Sequence, residues 1–282
     1  MIKVKKVNAF TDSINGGNPA GVVLDSPDLT DEQMAFINRR LEVTETAFVF
    51  PSDKADYKTR FFTSTIEVDL CGHATIATFF TMALEGIINP DKPHVTQETN
   101  VGILPVDVVF DGDQVNRVMM TQSKAISKDI HIDIFNIASA LNISIEDIDS
   151  SLPQQIVSTG LFTLPVCVKS FDILKNIKSD SEKIKKICNH LNVGSFHVFT
   201  FETIEQDSVY HARNFPPLYG VKEDPTTGTS NGAVCSYLKI NCIIDNEYMV
   251  CEQGDIIGRS GRVFVEIKKD IVRVGGRARI VE

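Results

Sequence analysis

Three stretches of this chain carry residue types able to move a proton or hold an anion. The first is Val43-Thr44-Glu45-Thr46-Ala47-Phe48-Val49-Phe50, where one carboxylate stands at the entrance to an apolar run. Glutamate is seldom fully buried unless paired or functional, and desolvation raises a carboxyl group toward the neutral range that a general acid/base needs. A solvated glutamate at a helix-to-strand turn fits the same letters. The second is Val68-Asp69-Leu70-Cys71-Gly72-His73-Ala74-Thr75, a strand end that breaks at a Cys-Gly-His corner and enters a helix. The first turn of a helix has unpartnered N–H groups and the positive end of the peptide dipole, so a glycine corner there can receive a carboxylate. An ordinary corner with a hydrogen-bonded histidine is the plain alternative. The third, Glu223-Asp224-Pro225-Thr226-Thr227-Gly228-Thr229, is again a glycine corner with hydroxyls, leading into an apolar helix. Asn18, before Pro19, closes a turn-rich loop, and its amide could also reach a ligand.

The elements that must position these residues follow from periodicity. Thr30 and Gln33 resemble a capping box, and Met34, Ile37 and Leu41 follow at helical spacing. From Ala74 to Leu84 the chain is apolar nearly all round, interrupted by threonines, which predicts a helix buried on most of its circumference and stopping near Gly86. Strands are expected over 1–10, 20–24, 43–50 and 58–62, and a hairpin at Asp111-Gly112 between 101–110 and 116–120. The polar stretch Thr121–Asp129 breaks that pattern and sets the boundary between a first half, 1–120, and a second, 121–270; the strand 271–282 could complete the first half. In the second half, Ile134, Ile137 and Leu141 read as a helix, Ile156–Leu161 as a strand running into the turn at Gly160, and Asp180 as an N-cap. Strands follow at 196–201, 209–215, 248–252, 262–267 and 271–274. Each half thus holds strands and one apolar helix opening at a glycine corner, a duplication of pattern rather than of letters.

Composition narrows the function. The chain has 282 residues, 43% hydrophobic and 23% charged, with a net charge of −9. These values fit a globular protein with no global positive field, which argues against nucleic acid and anionic membranes as partners. No run of about 18 apolar residues exists to span a membrane. The N-terminus lacks the apolar core of a signal peptide, and the six scattered cysteines (71, 167, 188, 235, 242, 251) read as reduced thiols, so a cytoplasmic location is expected. There is no CxxC pair and no histidine cluster at zinc-ligand spacing, and the glycines form neither nucleotide-binding signature; no metal and no cofactor are expected.

Gly16-Gly17-Asn18-Pro19-Ala20, Thr44-Glu45-Thr46-Ala47-Phe48-Val49, Asp69-Leu70-Cys71-Gly72-His73-Ala74-Thr75, Ser158-Thr159-Gly160, the Glu223–Thr229 stretch and Glu252-Gln253-Gly254 together resemble the phenazine-biosynthesis PhzF-like family. Six motifs in the right order cover essentially the whole chain. The resemblance implies the diaminopimelate epimerase fold: two pseudo-symmetric α/β (α+β) halves, each a curved β-sheet or barrel around a central α-helix, with a site in the cleft between them. It implies that Glu45 transfers the proton, that His73 and Asp224 support it, and that Asn18, Gly72, Gly160, Gly228 and Thr229 hold the substrate. The implied activity is a cofactor-independent isomerisation of a small carboxylate-bearing metabolite, in a homodimer. Two departures stand out. Related epimerases use one thiol from each half; here Cys71 fills the first place, but Thr227 fills the second, and Cys235 lies two turns into the helix. Thr229 replaces a serine common in the family and keeps the hydroxyl. An amino-acid epimerase or racemase using Cys71 is the alternative enzyme; a binding protein of the same fold is the non-enzymatic one.

Overall fold

The computed structural model describes residues 2–26 and 28–281. The chain forms two units, Met1–Thr121 with Gly275–Glu282, and Gln122–Val274.

In the first unit, Lys5–Ala9 lies antiparallel to Asn18–Val23, which runs parallel to Glu45–Phe50; that strand is antiparallel to Tyr57–Phe62, which runs parallel to His94–Thr99, itself antiparallel to Gly102–Asp111. The last of these turns back at the expected hairpin into Gln114–Thr121. Parallel neighbours need crossover connections, and both here are helices: Asp31–Leu41 for the first join, Gly72–Leu84 for the second. The capping box of Thr30 and Gln33 is present as expected. The chain's end returns to this unit, pairing Ala278–Ile280 with Lys5–Ala9.

The second unit repeats that alternation. Gln155–Ser158 is antiparallel to Phe162–Cys167, which is parallel to Ser195–Thr200; then follow antiparallel Tyr210–Phe215, parallel Tyr248–Gln253 and antiparallel Gly261–Lys268. Helices Phe171–Asn176 and Ser181–Leu191 make the first crossover and Gly228–Ile240 the second. The duplication expected from hydropathy is therefore present in the order of strand pairings.

In each unit the second crossover helix is the central one. Gly72–Leu84 packs on Lys5–Ala9, Asn18–Val23, Glu45–Phe50, Gln114–Thr121 and Ala278–Ile280, and Gly228–Ile240 on Gln155–Ser158, Phe162–Cys167, Ser195–Thr200 and Gly261–Lys268. Polar side chains inside such helices need partners. Thr75, Thr78 and Thr81 donate their hydroxyls back to the carbonyls of Cys71, Ala74 and Ala77 at 2.7–2.9 Å, and Ser236 does the same to Gly232 at 2.8 Å.

Several elements differ from the sequence expectation. The central helix of the first unit begins at Gly72 rather than Ala74, so the corner itself is the first turn. The stretch 121–129 is not free of strand: Ile126–Asp129 pairs with Gln155–Ser158, and its mostly exposed side chains hid it from hydropathy. Phe162–Cys167 was masked by Pro165, which is tolerated because the Gln155–Ser158 ladder ends at Thr163 and leaves no partner on that side. His94–Thr99 buries Val95, Gln97 and Thr99, so its inward face is two-thirds polar and gives no hydrophobic alternation.

Candidate active site

Glu45 is the first residue of a strand whose next four residues are buried. Its neighbour in register is Ala20, two residues beyond buried Asn18 on the adjoining strand. Helix Gly72–Leu84 brings His73 to it, with Nε2 3.4 Å from Glu45 Oε2. The two side chains keep only 23% and 13% of their surface exposed. Oε2 itself is buried and accepts no hydrogen bond among the described residues, so a desolvated oxygen has its lone pairs unspent. Cys71 Sγ lies 3.4 Å from His73 Nδ1 and 3.9 Å from Nε2. Cys71 is the helix N-cap and its side chain caps nothing, while the first intrahelical bond runs from Thr75 N to the Cys71 carbonyl. The first-turn N–H groups therefore point out of the helix without acceptors from it, and a Cβ at Gly72 would meet no atom within 4 Å. The result is an anion-receptive helix end with open space before it, beside a carboxylate and an imidazole.

The second unit builds the same corner with different contents. Thr227 is the N-cap, with φ −122° and ψ 98° against −137° and 113° at Cys71, and again it makes no side-chain cap. Its hydroxyl is donated instead to Asp224 Oδ2. Gln253, fully buried at the end of Tyr248–Gln253, fastens the loop: its Oε1 accepts from Thr227 N at 3.1 Å and from Asn231 Nδ2 at 2.8 Å, and its Nε2 donates to the Asp224 carbonyl at 2.8 Å. Asn231 also donates to the Thr227 carbonyl and accepts from Tyr210 Oη. Thr159 Oγ1 donates to the Thr229 carbonyl at 3.3 Å, which sets the turn at Gly160 beside the helix start. Gly254 has φ +92°, and a Cβ there would collide with the carbonyl oxygens of Pro225 and Arg259 at 2.6 and 2.3 Å, so this position admits only glycine.

Of the residues singled out by sequence, Glu45 and His73 meet beside Gly72 in the first unit, with Asn18 on the adjoining strand, and Gly160, Asp224, Gly228 and Thr229 lie around the helix start of the second. Sequence reasoning did not assign a role to Gln253 or Asn231. Gln253 stood in a quoted motif, but a buried amide has no periodic signal. Sequence reasoning gave Cys71 a role only in the alternative epimerase; the thiol touches His73. Cys235 is buried with Sγ 3.4 Å from Cys251 Sγ, inside the core of its unit. The donor atoms of Glu45, Cys71 and His73 lie within 4.8 Å of one another, a set able to hold a metal that linear spacing could not show because Glu45 comes from a separate strand.

Residues 7–282 match the family model described as phenazine biosynthesis-like protein. The Bacillus subtilis protein named uncharacterized isomerase YfhB is 36% identical over 279 residues, covering 99% of this chain and 93% of that one. The crystal structure of a Bacillus anthracis phenazine biosynthesis protein of the PhzF family superposes with a TM-score of 0.92 at 33% identity, covering 100% of this chain and 97% of that one. A hydroxyproline epimerase from Agrobacterium vitis, at 12% identity and a TM-score of 0.63 over 99% and 89% of the two chains, shares the diaminopimelate epimerase-like fold. No helix among the described residues is long and apolar enough to cross a membrane.

Proposed function

The chain belongs to the phenazine biosynthesis-like family and is an isomerase, and from that premise we propose that it moves a proton between two carbons of a small carboxylate-bearing metabolite, with Glu45 as the proton carrier. The observation that carries this reading is the state of Glu45 Oε2: buried, without a hydrogen bond among the described residues, and 3.4 Å from His73 Nε2. Such an oxygen is poised to accept a proton from carbon. The C–H electron pair passes into the substrate's conjugated system, and protonated Glu45, whose acidic proton exchanges with solvent, delivers a proton to a second carbon, so the step conserves electrons and needs no cofactor to balance. The helix end at Gly72 supplies positive potential for the substrate carboxylate, and the His73 imidazole offers a hydrogen-bonding group to charge developing in the transition state. The Asp224–Thr229 corner repeats this helix-end geometry within the second unit.

A second reading is supported by the contact between Cys71 Sγ and His73 Nδ1: an imidazole next to a thiol can draw off its proton, as an epimerase acting through Cys71 and Glu45 on opposite faces of an α-carbon requires. The two are separated by incubating carboxylate-bearing metabolite pools with the protein in deuterated water. Isomerisation gives a product with deuterium at a new carbon and survives Cys71→Ser; epimerisation labels the α-carbon of unchanged constitution and is lost in that variant. Absence of carbon-bound deuterium from every carboxylate in the pools, with folded protein, removes both.

A further inference from the structure

We propose that Glu45, Cys71 and His73 form a binding site for a zinc-like divalent cation, and that the bound cation shuts off proton transfer. The first clause stands on geometry alone; the second rests on the reading of Glu45 given above.

A tetrahedral zinc ion with sulfur at about 2.3 Å and nitrogen and oxygen at about 2.0–2.2 Å sets its ligand atoms roughly 3.3–3.6 Å apart. In the structure Glu45 Oε2 and His73 Nε2 are 3.4 Å apart, Cys71 Sγ is 3.9 Å from the same nitrogen, and all three donors fall within 4.8 Å. Coordination requires the Cys71 sulfur to close from 3.9 Å to about 3.6 Å of that nitrogen. The chemistry matches as well: carboxylate, imidazole and thiolate are the three ligand types zinc uses, and the thiol loses its proton on coordination. An independent observation points the same way. Glu45 Oε2 is buried and accepts no hydrogen bond among the described residues, so a cation there fills an acceptor left unspent. Three protein donors leave a fourth position open, as in sites where zinc meets small molecules rather than in closed structural sites. Coordination occupies the lone pair that would take the substrate's proton, so cation and substrate compete.

Cobalt(II) is the probe, because thiolate coordination gives it a near-ultraviolet charge-transfer band. The protein, first stripped with a chelator, is expected to bind one equivalent of cobalt with that band and to release it to one equivalent of zinc. The band is lost in Cys71→Ser and kept in Cys242→Ser, which removes the exposed thiol of the second unit. Glu45→Gln lowers zinc affinity at least about tenfold, and circular dichroism verifies that each variant is folded. No band in the wild type, a band that persists in Cys71→Ser, or unchanged zinc affinity in Glu45→Gln overturns the site. In the second arm, one equivalent of zinc suppresses deuterium incorporation and chelator restores it; incorporation that continues with zinc bound overturns the competition. If no incorporation occurs without metal, the proton-transfer reading fails, while the cobalt result still decides the site.

Discussion

Glu45, His73 and Cys71 come from two places in the chain and converge on one imidazole, with the carboxylate at Nε2 and the thiol at Nδ1. If Glu45 carries the proton, Glu45→Gln should lower turnover by roughly 10²–10⁴-fold, the usual contribution of a positioned acid/base, while the thermal midpoint stays near that of the wild type. His73→Gln keeps a hydrogen-bonding group beside Glu45 but removes the imidazole, and a smaller loss, mostly in kcat, is expected. Both are read by steady-state kinetics on the substrate found by isotope screening. At this scale the sequence was informative where residue type itself is unusual: a carboxylate at the mouth of an apolar run, and Cys-Gly-His at a strand end. It was silent on Gln253, whose role depends on which loop its strand end meets in space.

The two central helices are elements whose apolar letters announce burial but not what they bury against. Phe79 in Gly72–Leu84 is fully buried and sits edge-on to Tyr57 at 6.1 Å between ring centroids. Phe79→Ala should cost about 3–5 kcal/mol, measured by denaturant unfolding, because the packed helix cannot collapse into the void. At the second corner, Gln253→Leu keeps the volume but removes the acceptor shared by the half-buried Thr227 amide and the buried Asn231 side chain. Each orphaned group costs about 1–3 kcal/mol, so the variant should be less stable and its Asp224–Gly228 loop should exchange its amide hydrogens faster. Helices and hairpins were legible because they depend on local periodicity and turn chemistry. Phe162–Cys167, with its proline, and Ile126–Asp129, with its exposed side chains, are strands only because a neighbour supplies the ladder, and no local pattern encodes a neighbour.

For the molecule as a whole, the chain's last strand closes the first unit by pairing with its first strand. Deleting residues 275–282 should therefore loosen Lys5–Ala9 and Asn18–Val23, seen as accelerated amide exchange in those strands and a lower thermal midpoint. Acid should weaken the protein through two buried groups of the second unit. Burial pushes the His197 imidazole down to about 4, against hydrogen bonds with Asn214 and Asn231 that favour its charge. Below pH 6.5 the unfolded chain takes up a proton that folded His197 refuses, so stability falls as pH drops from 6.5 toward 4, by about 3 kcal/mol. Burial pushes the Glu252 carboxyl up, but hydrogen bonds from His211 and from the amides of Ile204 and Glu205 outweigh it and hold the group at about 2. Its contribution is complete above pH 4.5 and is lost as pH falls from there toward 2. Unfolding curves at pH 7, 5.5 and 4 test the first window, and in His197→Gln the decline between pH 6.5 and 4 should flatten.

The measurement that bears most directly on the assignment of Glu45 is carbon-bound deuterium, read by mass spectrometry after incubation of the isomerised metabolite in deuterated water with wild type, Cys71→Ser and Glu45→Gln side by side. Label in the first two and none in Glu45→Gln is the expected pattern. Equal label in all three, from proteins with matching circular dichroism, would contradict it.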